Sequence, residues 1–325
     1  MTKANYPTFN APHWAKNPHF QTILPRLLFT KSLVDVEWQN FATRDGDRIE
    51  LAWFKRGVTK PKAVVCIFHG LEGSVNSHYI TTLVPKLNND FWVVVVHFRG
   101  CGRTPNELPR SYHSGDTGDA LEVAESLRQQ YPHLPLHAIG FSLGGNMLLK
   151  LLGENSTTLF SSAVAVSPPF NLAKCASSIS NGFSRIYERH LLRSMRQRFK
   201  QKAVRHNYQE LINLSEEKLF SLDSFWAFDE HITGPLHGFK DANDYYQKSS
   251  SISFMAHINT RTLVLHALDD PFMSPDIVPN KQQISDKVTL EVSAHGGHVG
   301  FMQGTPWRPT LWLPGRIKHY FETGN

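Results

Sequence analysis

Cysteine is scarce in this chain of 325 residues, and its three copies, Cys66, Cys101 and Cys175, lie far apart. An odd, dispersed set excludes a disulfide framework and a cysteine-based zinc site, and points to a reducing, cytoplasmic setting. Long apolar runs are missing too. Stretches such as Phe91–Val96 fall far short of the roughly 20 residues that cross a bilayer. The opening MTKANYPTFNAPHW lacks the apolar core of a secretory signal. No internal repeat, low-complexity tract or interdomain linker interrupts the chain, so a single domain over 1–325 is expected.

Charge of one sign is not in general excess either. The net charge is +6, but Arg185, Arg189, Arg193, Arg196, Arg198, Lys200, Lys202 and Arg205 crowd between Phe183 and His206, opposed only by Glu188. That segment carries +7, which leaves −1 for the rest of the chain. With no nucleic-acid motif and one basic segment on a near-neutral protein, nucleic-acid binding is not expected. Hydrophobic residues make up 41% and aromatics 11%, enough to bury a large core and to exclude global disorder.

What is present alternates between strands and helices. Val36–Phe41 and Ile49–Arg56 show the period of half-buried strands around the turn Asp45-Gly46-Asp47. Ala63–His69, Trp92–His97, Leu136–Phe141 and Ser162–Val166 are apolar runs suited to central strands covered on both faces. Tyr79–Leu87, Asp119–Gln130 and Asn146–Leu152 intervene with helical spacing. Strands resume at Arg261–Ala267 and Lys287–Ser293, and a last helix covers about 315–322. This alternation predicts an α/β fold with a mostly parallel central sheet. The stretch 172–255 holds helical patterns and no convincing strand, and is expected to form a helical lid inserted into the domain. Residues 1–30 read as an irregular, aromatic-rich arm packed on the core.

The chemistry concentrates at strand ends. Gly140-Phe141-Ser142-Leu143-Gly144 follows the run Leu136–Phe141. A serine on a tight strand-to-helix turn has its hydroxyl pushed into the open, and glycines two residues away on each side avoid collisions with neighbouring elements. Ser142 is therefore the candidate nucleophile. Such a serine needs a base, and the base needs an orienting carboxylate. Arg261–Ala267 ends in Leu268-Asp269-Asp270-Pro271, and Lys287–Ser293 ends in Ala294-His295-Gly296-Gly297-His298. Both fall at the sheet edge where open α/β folds bind ligands. Asp270, followed by a turn, is favoured over Asp269. His298, freed by two preceding glycines, is favoured over His295. The N–H groups of Leu143 and of Leu71, in His69-Gly70-Leu71-Glu72-Gly73, are the candidate oxyanion donors. Arg99, Asp116 and Asp119 are expected to be structural.

These motifs carry a resemblance. HGLEGS, HFRGCG (97–102), YHSGDTGD (112–119), GFSLGGN (140–146), DDPF and GGHVGF resemble the α/β-hydrolase superfamily. More narrowly they are similar to its AB-hydrolase family 4 branch, the YheT-type bacterial hydrolases. PHFQTILPRL (18–27) and YYQKSS (245–250) extend the likeness over most of the chain; it is weakest at about 172–240. The resemblance implies a charge-relay site carried by Ser142, Asp270 and His298, acting on carboxylic esters, with lipase-like or acyltransferase activity among eukaryotic relatives.

The expected activity is hydrolysis of short- to medium-chain acyl esters through an acyl-enzyme, with no metal or organic cofactor. Acyl transfer or thioester cleavage by the same residues, or a non-catalytic binding module, are the alternatives. Phe183, Tyr187, Leu191, Met195, Phe199 and Ala203 recur every fourth residue, so 183–206 reads as an amphipathic helix with a cationic outer face. That face is a candidate contact for an anionic membrane or lipid.

Overall fold

The apolar runs become the middle of one eight-stranded sheet in the computed structural model of the chain, which describes residues 6–33, 35–154 and 159–324. In chain order the strands are β1 (Glu37–Ala42), β2 (Arg48–Phe54), β3 (Val64–Phe68), β4 (Trp92–Val96), β5 (Leu136–Phe141), β6 (Ser162–Val166), β7 (Thr262–Ala267) and β8 (Val288–Ser293). Their spatial order is β1-β2-β4-β3-β5-β6-β7-β8. β1 and β2 join antiparallel, and β4 through β8 run parallel. Every residue of β3, β5, β6 and β7 is buried. Covered faces are what parallel strands require, and they explain why these runs are continuously apolar.

Helices α1 (Pro18–Phe29), α2 (His78–Leu87), α3 (Gly118–Gln130), α4 (Leu143–Glu154), α5 (Leu172–Ile179) and α6 (Arg185–Ala203) follow in the chain, and Leu313–Thr323 closes it. Two apolar cores, one on each face of the sheet, hold it: one contains Phe68, Met147 and Phe170, the other Ile67, Phe141 and Ile317. All three cysteines are buried free thiols. Among the described residues, no strand occurs between β6 and β7; helices run from Leu172 to His257, with one small core around Leu192, Phe199 and Phe228 and another around Leu172, Ala176, Tyr245 and Tyr246. No helix among the described residues is long and apolar enough to cross a membrane.

Three sequence expectations need correction. The arm is irregular over 6–12 but forms helix α1 over Pro18–Phe29. Asn17 caps α1 by accepting the N–H groups of His19 and Phe20, and Pro18 occupies the first turn. Its buried residues are Gln21 and Pro25, so no apolar stripe announces it. The chain also forms a hairpin after β8, β9 (Met302–Thr305) with β10 (Arg308–Leu311), too short and polar to show as a pattern. Finally, the cations of α6 do not all face outward. Lys202 is buried and donates to the carbonyls of Pro109 and Arg110, Arg196 donates to those of Phe220 and Leu222, and Arg198 reaches Glu72.

Candidate active site

Backbone strain marks the turn between β5 and α4. Ser142 has φ of +51°, a conformation that side chains with a Cβ rarely adopt. Its N–H donates to the Val166 carbonyl at 2.8 Å, which holds the turn to β6. The flanking glycines are sterically required. A Cβ on Gly140 would lie 2.3 Å from the Gly144 carbonyl oxygen, and one on Gly144 would lie 2.5 Å from those of Phe68 and His69.

The loops after β7 and β8 converge on that serine. His298 Nε2 lies 2.9 Å from Ser142 Oγ, and His298 Nδ1 lies 2.7 Å from Asp270 Oδ2. Asp270 is 3% exposed, and its other oxygen accepts the Phe272 N–H at 2.9 Å. The Phe272 ring stacks on the imidazole at 4.0 Å, which limits its rotation. Asp269 and His295 pair with each other instead, Oδ2 to Nδ1 at 3.1 Å, while Asp269 Oδ1 accepts the Gly297 N–H. That pair braces the loop that presents His298.

Residues that sequence reasoning missed hold this loop from the arm. Thr22 Oγ1 accepts the backbone N–H of His298 at 3.0 Å and donates to the Pro18 carbonyl. Gln21, fully buried, donates to the Ala15 and Met302 carbonyls and accepts the Met302 N–H. Gly297 has φ of +57°, and a Cβ there would strike Gln21 and the Pro18 carbonyl. The Asn17-Pro18 helix-start signal could have revealed this helix, but not what it touches.

Leu71 and Leu143 both line the cavity that Ser142 faces. Gly70 lets the first of these loops approach, since a Cβ there would sit 3.2 Å from that of Ser142. Among the described residues, neither the Leu71 nor the Leu143 N–H is given to a protein acceptor. Glu72, at φ +56°, ties the loop to α6 by accepting from Arg198 Nε at 2.8 Å and Ser194 Oγ at 2.5 Å. Below it, Arg99 is buried between Asp47 and Asp119, at 2.7 and 2.6 Å, and Arg110 pairs with Asp116 at 3.0 Å. These groups brace the fold and stand apart from the serine's hydrogen bonds.

The cavity of about 130 Å³ is walled mainly by apolar groups, among them Leu143, Ile179, Leu191, Met195, Phe225 and Met273. One carboxyl faces it. Asp229, in a π-helical turn, accepts from Thr233 and Tyr246, and burial pushes its carboxyl up to about 6. Among the described residues, His113, Asp116 and His237 could together hold a metal ion. The Arg110 guanidinium already neutralises Asp116 there, so the donor set suits a cation poorly.

A family model described as alpha/beta hydrolase fold matches residues 63–305. The Escherichia coli protein named "Putative esterase YheT" is 40% identical over 94% of this chain and 91% of its own length. A Saccharomyces cerevisiae monoacylglycerol lipase is 31% identical over 74% of this chain, which spans 55% of that longer protein. Among solved structures, an esterase of Pyrococcus furiosus shares the fold with a TM-score of 0.57 at 17% identity, over 98% of both chains.

Proposed function

The chain belongs to the α/β-hydrolase family, and from that premise we propose that it is a serine hydrolase that cleaves carboxylic esters of short- to medium-chain acids. The observation that carries the reading is the unbroken hydrogen-bond line from Ser142 Oγ through His298 to Asp270, at 2.9 and 2.7 Å. A serine within hydrogen-bond reach of an imidazole can pass its proton as it attacks a carbonyl, and a buried carboxylate stabilises the imidazolium that forms.

In this mechanism His298 takes the proton from Ser142 while the serine attacks the ester carbonyl. The N–H groups of Leu143 and Leu71 bind the oxyanion, each worth roughly 3–4 kcal/mol in comparable sites. His298 then protonates the departing alcohol. Water, deprotonated by the same imidazole, releases the acid from the acyl-enzyme. The helices between β6 and β7 act as a lid, and their apolar wall receives the acyl chain. Relatives named esterase and lipase support a small ester as substrate, and the buried thiols suit a reducing cytoplasm.

Hydrolysis of p-nitrophenyl esters of graded chain length, with labelling by a fluorophosphonate, tests this reading. Ser142→Ala should abolish labelling and lower kcat by roughly 10⁴-fold or more. Equal behaviour of wild type and variant in both assays would refute it. Addition of an alcohol separates hydrolysis from acyl transfer through the product ratio.

A further inference from the structure

Helix α1 is amphipathic the wrong way round for a helix on a protein core. It buries Gln21 and Pro25 and turns Phe20, Ile23, Leu27 and Leu28 outward, at 53, 37, 70 and 51% exposure. Beside it, in the turn before α6 and in its first turn, Phe183 and Ile186 are 52 and 54% exposed. The two elements touch. His19 packs on the Phe183 ring at 4.3 Å and bonds the Tyr187 hydroxyl at 3.0 Å, and Arg26 reaches His190 at 3.2 Å. Half of the large hydrophobic side chains that stand exposed among the described residues therefore gather on one surface. Monomeric proteins rarely leave a patch of this kind without a partner.

The charge around the patch says what the partner is. Arg26, Arg185, Arg189 and Arg193 are exposed on these two helices, and Ile186, Arg189, His190 and Arg193 follow at the spacing of one helix face. No acidic residue occurs before Asp35. Glu188, the one acid of α6, is buried against Ser180 and the Phe225 N–H, and Asp223 is the one acid among the described residues that pairs with Arg185, at 3.6 Å. Pairing with a second copy through this face would set its cations against themselves under two-fold symmetry. An anionic lipid surface offers phosphates to the guanidinium groups and acyl chains to the apolar residues.

We propose that α1, the turn at Phe183 and the N-terminal half of α6 form a docking surface for an anionic membrane, through Phe20, Ile23, Leu27, Leu28, Phe183 and Ile186 with Arg26, Arg189 and Arg193 around them. The surface adjoins the candidate active site. Tyr187 packs on Phe272, the ring that stacks on His298, and α1 holds the His298 backbone through Thr22. Docking there would bring the site beside the lipid layer. The binding itself does not depend on the ester-hydrolase reading.

Sedimentation of the full chain with vesicles tests the proposal. At about 50 mM salt, where screening is weak, wild type should pellet with phosphatidylglycerol-containing vesicles and remain soluble with pure phosphatidylcholine. Phe20→Ser/Leu27→Ser/Leu28→Ser should weaken vesicle binding by about tenfold or more, with unchanged Tm and unchanged turnover of a soluble ester. Arg189→Glu/Arg193→Glu, which alters no apolar packing, should weaken it comparably. Ser142→Ala should bind like wild type, so loss of catalysis and loss of docking are read separately. Wild type left in the supernatant with anionic vesicles overturns the proposal. So does a wild-type dimer that the triple substitution converts to monomer, which would assign the patch to a second copy.

Discussion

Lowering the pH from 7 to 5.5 should remove about 4 kcal/mol of folding stability, because the fold locks several histidines in the neutral form. His69 Nε2 accepts the Phe98 N–H at 3.1 Å, leaving Nδ1 to donate to the Gly70 carbonyl at 2.7 Å. His97 Nε2 accepts the Val75 N–H while Nδ1 donates to the Glu50 carbonyl, both at 3.1 Å. A proton added to either Nε2 would set N–H against N–H. Desolvation pushes His69 down to about 3 and His97, His137 and His266 to about 4, and all four are buried.

Between those values and the unfolded value near 6.5, the unfolded chain binds more protons than the folded one. Stability contributed by each group is therefore complete above about pH 6.5 and declines as the pH falls towards the folded value. Each histidine loses about 1.2 kcal/mol between pH 7 and 5.5, about 5 kcal/mol for four. Asp229 acts in the opposite sense. Burial raises it to about 6, so the folded state takes up its proton first and recovers about 0.8 kcal/mol over the same interval. Asp116, Asp119 and Asp269, also raised by burial, act in Asp229's direction, while His78, His113 and His237, also lowered by burial, act with the four histidines and oppose these aspartates. Urea unfolding at half-unit pH steps measures the slope, and NMR titration of the imidazoles identifies the groups. A stability flat from pH 7 to 5.5, or a folded His69 that titrates above 6, would refute the reasoning.

Two substitutions probe the site's supports. Thr22→Val keeps the shape but removes the acceptor of the His298 N–H; the unpaired donor costs roughly 1–3 kcal/mol. If that strain moves the imidazole, kcat/KM falls by roughly 5- to 100-fold, and a drop in Tm with kcat/KM unchanged would show that Thr22 serves the fold alone. Gly144→Ala, pressed against immobile carbonyls 2.5 Å away, should lose about 3 kcal/mol or more in urea unfolding. Gly46→Ala, at φ +83° with nothing within 4 Å, should lose only about 1–2 kcal/mol; equal losses would contradict the steric argument.

Much of the architecture was legible because its signals are local. A strand buried on both faces must be continuously apolar, so β3 to β7 stood out, and the glycines around Ser142 reported a turn in which any Cβ collides. The arm helix was not legible, because its buried side is Gln21 and Pro25 and its apolar residues face outward. The hairpin β9–β10 was missed because four-residue strands that carry Gly304 and Pro309 show no alternation.

The sequence by itself determined the order of chemical groups along the chain: a serine, then adjacent aspartates, then two nearby histidines, each just past a strand. The order of residues likewise determined that +7 sits in one segment. The turn after Asp270 and the glycines before His298 favoured those two residues, but the pairing itself is made only in three dimensions, where the loops after β7 and β8 set Asp270 against His298 and Asp269 against His295. Neighbours in sequence point their side chains in different directions, and spacing carries no information about which direction reaches the serine. The charge followed the same rule. Its amount is a sum over residues, but folding directs Arg198 and Lys202 inward to Glu72 and to backbone carbonyls and leaves Arg189 and Arg193 in solvent, because buried cations need fixed acceptors that only the tertiary contacts supply.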